Sequence, residues 1–346
     1  MPDTVDGPGM PLRVLGRSGL RVSELCLGAM TFGTEWGFGA EESVCREIYD
    51  AYREAGGNFV DTANNYTNGS SESIVGRLVA SERDAVVLST KYTLPTDDND
   101  PNSGGNHRKS LRRSIETSLR RLGTDYVDLL WVHAWDRDTP AEETLRALDD
   151  LVRAGKVLAI GVTNTPAWVI SRSQVVAELR GWTAFCAVQV EYSLVARTPD
   201  RELLPMARAL DLAMCAWSPL ARGLLAGKLP GGVERLSPSA QRAFDVAREI
   251  ADELGTTPAR VALAWVMRQG LVPSIGARTV AQMRDNLGAL NVRLDDTQWE
   301  RLESATRVRL GYPHDFLHDR QGMLSPTVLR GTVRSRPDNG VRVAAT

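Results

Sequence analysis

Short apolar runs alternate with amphipathic, helix-period segments along almost the whole chain. The strand-like runs are Glu24–Leu27, Asn58–Asp61, Ala85–Thr90, Val127–His133, Leu158–Val162, Ala184–Val190, Ala213–Trp217 and Val272–Ile275. Helical segments are expected between them at Glu41–Ala55, Ser71–Ala80, Arg108–Leu122, Ala141–Ala154, Pro166–Leu179, Pro199–Ala209, Ser239–Leu254, Pro258–Arg268 and Val280–Leu290. Thr165-Pro166, Thr198-Pro199 and Thr257-Pro258 each read as an N-cap followed by proline in the first turn. Gly56, Gly123, Gly155 and Gly255 fall where helices should stop. The segment 108–122 sets Leu111, Ile115, Leu119 and Leu122 on one stripe and fills the rest with arginine, as a helix packed on the outside of a sheet would.

Eight strand–helix units in series predict an α/β fold, a (β/α)8 TIM barrel. A doubly wound open sheet is the competing architecture. It requires a glycine-rich phosphate loop after the first strand, and Gly37-Phe38-Gly39 lacks both the third glycine and the strand–turn–helix setting. Residues 12–22 read as a hairpin turning at Arg17-Ser18-Gly19, placed to plug the bottom of the barrel. One barrel domain is expected over 12–324, with Tyr312, Phe316 and Leu317 in a lid over the mouth. Residues 1–11 and the Arg-, Pro-, Ser- and Gly-rich end 325–346 are expected to be disordered.

Four polar residues stand where apolar runs end. Asp61 closes Asn58-Phe59-Val60, and Tyr66 follows five residues on. Lys91 closes 85–90 and His133 closes 126–132. On parallel neighbouring strands these groups share one mouth, and together they make a proton-transfer site. A free phenol is a poor acid–base at neutral pH. An ammonium about 4 Å away attracts its phenolate by about 4 kcal/mol before desolvation is subtracted, which pulls the pKa down. Asp61 would hold Lys91 charged, and His133 would donate to a carbonyl oxygen or share the proton with Tyr66. Any one of the four alone at a strand end is commonly structural; four together at the C-terminal ends of these runs are not.

Other strand ends carry amide, hydroxyl and aromatic groups. Thr163, Asn164 and Gln189 can hydrogen-bond a flat amide, and Trp217 can stack on an aromatic ring. After the last strand, Gly276 lets a ligand approach the backbone, and Arg278 at a helix start favours phosphate. Gln282, Asp285 and Asn286 follow on the next turns.

The chain has 346 residues, 42% hydrophobic content and a net charge of −2, so it shows no electrostatic footprint for nucleic acid or an anionic membrane. No apolar stretch approaches the length of a membrane span. Residues 1–11, with Asp3 and Asp6, do not read as a signal peptide. Cys26, Cys45, Cys186 and Cys215 form no CxxC pair and are expected as reduced, buried thiols of a cytoplasmic protein. No metal site is expected, and the oligomeric state stays open.

From Leu12 to Val292 the chain resembles an aldo-keto reductase. The resemblance rests on Leu15-Gly16-Arg17-Ser18-Gly19-Leu20-Arg21-Val22-Ser23, Leu27-Gly28-Ala29-Met30-Thr31-Phe32-Gly33 and Asp61-Thr62-Ala63-Asn64-Asn65-Tyr66. Ser71-Glu72, residues 119–126, Gly161-Val162-Thr163-Asn164 and Trp217-Ser218-Pro219-Leu220 extend it. It is similar to aryl-alcohol-dehydrogenase-like reductases and shares features with the β subunits of voltage-gated potassium channels. The resemblance implies a catalytic tetrad of Asp61, Tyr66, Lys91 and His133, with Tyr66 as general acid in the reduction of an aldehyde or ketone. It also implies NADP(H), bound across the barrel top. Ala29, Met30, Asp61, Thr163, Asn164, Gln189, Trp217, Ser218, Leu220, Gly223 and Lys228 would hold the nicotinamide and pyrophosphate. Gly276, Arg278, Gln282, Asp285 and Asn286 would hold the adenosine 2′-phosphate end. Met30, Trp36, Tyr66, Tyr92, Trp135, Tyr312 and Phe316 are the expected walls of the substrate pocket. The long acidic loop 94–105 reads as a gate or as solvent-exposed slack. The rival reading is an NADP(H)-binding, redox-sensing regulatory subunit with negligible turnover, which steady-state kinetics separates from an enzyme.

Overall fold

The computed structural model describes residues 9–227 and 237–320. An antiparallel hairpin of β1 (Leu12–Val14) and β2 (Arg21–Ser23) leads into β3 (Cys26–Gly28), β4 (Phe59–Asp61), β5 (Val87–Tyr92), β6 (Val127–Val132), β7 (Val157–Thr163), β8 (Ala187–Glu191), β9 (Ala213–Trp217) and β10 (Val272–Ile275). These eight strands are parallel and close into a barrel, with β10 returning to pair with β3. The fold is a (β/α)8 TIM barrel with an N-terminal hairpin.

Outside the strands lie α1 (Glu42–Glu54), α2 (Ser70–Val79), α3 (Arg108–Leu122), α4 (Ala141–Arg153), α5 (Ala167–Arg180), α6 (Leu203–Ala209), α7 (Pro238–Leu254), α8 (Pro258–Arg268) and α9 (Val280–Leu287). Thr257 caps α8 by accepting from the Arg260 amide, and Gly123 and Gly255 end α3 and α7 in the left-handed conformation, as expected. Thr165 does not cap α5. Its hydroxyl donates to the Thr163 carbonyl instead. The stretch 199–209 is not one helix: a 3-10 turn over Thr198–Asp200 precedes α6. Two further helices, α10 (Asp296–Thr306) and α11 (His314–Asp319), follow the barrel. A reciprocal capping box of Asp295 and Gln298 starts α10, and Arg301 ties it to Glu249 of α7 at 2.9 Å.

Strand alternation sorts the side chains into two layers. Inward-facing Cys26, Phe59, Val87, Leu129, Trp131 and Cys215 form a core inside the barrel, while outward-facing residues such as Val60, Leu88 and Leu130 belong to the larger core shared with the helices. Leu15 and Val22 of the hairpin join the inner core with no exposed surface. Gly16 allows this approach. Its φ is +52°, and a Cβ there would lie 2.1 Å from the Cys186 carbonyl oxygen, ahead of β8. All four cysteines are free and buried.

Two expectations change. Met10, placed with a disordered N-terminus by composition, is buried, and its amide donates to Ala55 beyond the end of α1. The loop 94–105 is held internally rather than slack: the Ser103 hydroxyl donates to Asp97, the Gly105 amide to Thr93, and the Asp97 and Asp100 carboxylates close local turns. The expected tail 325–346 lies outside the described residues, as does Lys228. Among the described residues, no helix is long and apolar enough to cross a membrane.

Candidate active site

Inward alternation continues to the C-terminal ends of the strands, where the apolar core gives way to polar groups. Phe59 on β4 is followed two residues on by Asp61, and Val87 on β5 by Ser89 and Lys91. Leu129 and Trp131 on β6 lead to His133, whose amide donates to Tyr92 one residue beyond the strand. Lys91 lies inside β5 rather than after it, because the strand runs two residues further than its apolar composition suggests.

Lys91 and Asp61 form a buried ion pair, 1% and 3% exposed. Each charge is otherwise satisfied. Asp61 accepts from the Ser89 hydroxyl at 2.6 Å and from the Gln189 amide at 3.2 Å. Lys91 also donates to the Thr62 carbonyl at 3.0 Å, and its ammonium faces Tyr66, each favouring the charged form of the other. Burial alone would lower the Lys91 pKa, but Asp61 and Tyr66 outweigh it and hold that pKa above the ordinary lysine value.

The phenol moves opposite to the sequence expectation. Lys91 does favour the phenolate, and its ammonium lies 5.0 Å from the Tyr66 ring centre. Desolvation of the phenol is larger, with Asp61 adding to it, so the Tyr66 pKa is raised. The Coulomb attraction alone was the wrong guide, because the same burial that strengthens it also penalises the charged phenolate. His133 stands edge-on to Tyr66, with ring centres 5.9 Å apart. Burial, helped by Lys91, drops its pKa from 6.5 to about 3, so the imidazole is neutral at physiological pH.

The turn that carries Tyr66 is welded to the loop after β3. The Thr67 hydroxyl donates to the Phe32 carbonyl at 2.7 Å, and Ser71 bridges Thr62 and the Ala29 carbonyl. Trp36 donates to Asn68 and meets the Tyr66 ring at 6.2 Å. Phe38, which the sequence reading passed over, packs on Trp36 at 5.9 Å. Its signal was its place two residues after Trp36. Met30 is exposed on the same loop.

The other expected wall residues make contacts of their own. Tyr92 is a correction: it is fully buried and alternates with Lys91, so it points into the helix-side core rather than into the mouth. Trp135 packs on Trp168 of α5 at 5.7 Å. Tyr312 and Phe316 pack on each other and stay 78% and 53% exposed. Their segment docks on the connection after β8, through Arg201 to the Tyr312 carbonyl and His314 to Glu202.

Among candidate cofactor residues, Thr163 Oγ1, Trp217 Nε1 and His133 Nδ1 are buried polar atoms with no hydrogen-bond partner among the described residues. Three such atoms at the C-terminal ends of β6, β7 and β9 suit a polar ligand that would satisfy them. Asn164 is exposed just beyond β7. It sits at φ +49° and donates to the His133 carbonyl at 2.8 Å. Ser218, Ala221, Arg222 and Gly223 after β9 all have positive φ, in a loop that also contains Leu220. Ala29 is buried, and its amide donates to the Asp61 carbonyl. After β10, Gly276 is open enough that a Cβ would meet nothing nearer than the Gly28 oxygen at 3.8 Å. Arg278 is exposed, and its amide donates to Gln282 at the start of α9. Asn286 is buried and donates to the Gly276 carbonyl at 3.2 Å. Asp285 is a second correction: Thr257 and Arg260 of α8 engage its carboxylate, so it faces a helix and not a ligand.

The sequence profile of the Aldo/keto reductase family matches residues 24–307. The chain belongs to this family. It is 39% identical to norsolorinic acid reductase stcV of Emericella nidulans over 321 residues, covering 87% of this chain and 83% of that protein. The uncharacterized oxidoreductase YrpG of Bacillus subtilis is 40% identical over 309 residues, covering 83% and 93%. The putative aryl-alcohol dehydrogenase AAD14 of Saccharomyces cerevisiae is 34% identical over 337 residues, covering 89% and 90%. This aldo/keto reductase is an oxidoreductase acting on carbonyl or CH–OH groups, and the family generally uses a nicotinamide cofactor.

Proposed function

We propose that this aldo/keto reductase is an NADPH-dependent reductase of aldehydes or ketones, reversibly oxidising the alcohol, with Tyr66 as the general acid. The observation that carries the reading is the chain of contacts from Asp61 through Lys91 to the Tyr66 hydroxyl, with a neutral imidazole beside it. Bound NADPH supplies the hydride that the carbonyl carbon receives. Tyr66 gives its proton to the carbonyl oxygen as that oxygen becomes an alkoxide. A raised pKa suits this role, since the phenol enters each turnover protonated. Lys91, kept charged by Asp61, stabilises the phenolate left behind. His133, neutral, donates a hydrogen bond that orients the carbonyl oxygen.

Thr163, Asn164 and Gln189 are suited to a carboxamide, and Trp217 to stacking on the nicotinamide ring. Ala29, Met30, Ser218, Leu220 and Gly223 line the path for the pyrophosphate. Gly276, Arg278, Gln282 and Asn286 would hold the adenosine end, and Arg278 favours a 2′-phosphate and hence NADPH over NADH. The wall of Trp36, Phe38 and Met30 beside Tyr66 favours an aryl carbonyl substrate. The relative named as a putative aryl-alcohol dehydrogenase supports this choice.

The test is Tyr66→Phe, assayed by NADPH consumption on an aryl aldehyde, with NADH run in parallel. A rate loss of about 10²–10⁴ is expected. A rate within about tenfold of wild type removes Tyr66 from the acid role. Equal turnover with NADH removes Arg278 from cofactor choice.

A further inference from the structure

The turn bearing Tyr66 is held from the helix side of the barrel by an ion pair between Glu72 and Arg121. Glu72, in the first turn of α2, has no exposed surface. Its carboxylate accepts from the Thr90 hydroxyl at 2.7 Å and from Arg121 of α3 at 3.1 Å. Thr90 precedes Lys91 on β5 and points to the helix side. The same Arg121 nitrogen donates to the Asn64 carbonyl at 2.8 Å, two residues before Tyr66. On the far side of the turn, Gly69 closes on the guanidinium: a Cβ there would lie 2.2 Å from Arg121 Cζ. Between these points Thr67 and Asn68 both adopt positive φ, at +44° and +55°. Such a backbone persists only when its surroundings hold it.

We propose that Glu72 and Arg121 are positioning residues that set the placement of Tyr66 against Lys91. One arm of the network grips the strand of the amine, through Thr90. The other grips the turn of the phenol at both ends, Asn64 and Gly69. A fully buried carboxylate is costly to keep in the helix-side core, and an apolar residue would fill the space with less penalty. What the pair adds is a fixed register between two chain segments that must meet within hydrogen-bond distance. This inference rests on the reading of Tyr66 as proton donor.

The test compares Glu72→Gln, Arg121→Lys and the double variant Glu72→Gln/Arg121→Lys with wild type, Tyr66→Phe and a control, Arg77→Ala, which breaks an exposed ion pair with Glu42. All are assayed well below their melting temperatures. Glu72→Gln and Arg121→Lys should each lower kcat by about tenfold to 10²-fold, the scale of a small misplacement in a reacting centre. Their affinity for NADPH, read by tryptophan fluorescence, should stay at the wild-type value. The double variant should be no slower than the slower single variant, because both changes disable one network. Arg77→Ala should leave kcat unchanged. Wild-type kcat in folded Glu72→Gln and Arg121→Lys, additive losses in the double variant, or NADPH affinity falling in step with kcat each overturns the positioning role. If Tyr66→Phe also turns over at the wild-type rate, the acid assignment fails with it; if Tyr66→Phe is slow, the network inference fails alone.

Discussion

The lower and upper halves of the barrel interior come from the same strands and are built for different tasks. Below, Leu15, Val22, Cys26, Phe59, Val87 and Leu129 make a dry core stoppered by the hairpin. Above, Asp61, Lys91, His133, Thr163, Gln189 and Trp217 replace it, on several strands within two residues of the last apolar side chain. Below, contacts are packing contacts. Above, every charge has a partner, yet three polar atoms have none among the described residues. The change is vertical rather than segmental: each strand gives a lower rung to stability and an upper rung to chemistry. The height of the upper rung is therefore set by how the lower one packs.

The largest test of this division is Lys91→Met. It should reduce turnover by about 10²–10⁴ while the barrel still forms, because Asp61 keeps Ser89 and Gln189 as partners. Steady-state rates alongside circular dichroism check it; a rate loss seen only in unfolded material would erase the distinction between halves. The converse change is Leu15→Ala in the stopper. It should cost about 2–5 kcal/mol of stability in denaturant unfolding and leave kcat per folded molecule nearly unchanged. The smallest effect sharpens the comparison through pH. The unfolded chain protonates His133 near 6.5, while the folded protein resists down to about 3. Stability tied to this residue is thus complete above the unfolded value and is lost as pH falls through that window. Melting curves of His133→Gln should show a shallower decline than wild type between neutral pH and about pH 4.

The alternation of elements and the ends of the apolar runs were enough to place the barrel and its hairpin and to bring Asp61, Tyr66, Lys91 and His133 together. The pattern worked because parallel strands buried on both faces read as continuous apolar runs, so a lone polar residue marks a strand's exit. It failed where a residue's facing mattered more than its type. Tyr92 stands next to Lys91 in sequence and points the other way, and Asp285 stands next to Asn286 and pairs with a neighbouring helix. Ser89 was legible in principle, being two residues from Lys91 on the same strand face. The Glu72–Arg121 pair was not, since 49 residues separate its members and only the packing of α2 on α3 brings them together. The upward shift of Tyr66 was equally hidden, because desolvation depends on what covers the ring and no spacing encodes that.

The weld between the Tyr66 turn and the loop after β3 has a consequence for how this enzyme diversifies. The hydroxyl of Thr67 and the indole of Trp36 fasten the Tyr66 turn to the loop that carries Trp36 and Phe38. A mutation that reshapes that loop for a new guest therefore drags Tyr66 with it. Selection for altered guests has freer material in Trp168 and the Tyr312–Phe316 pair, which are solvent-facing and are not tied to the Tyr66 turn by any hydrogen bond among the described residues.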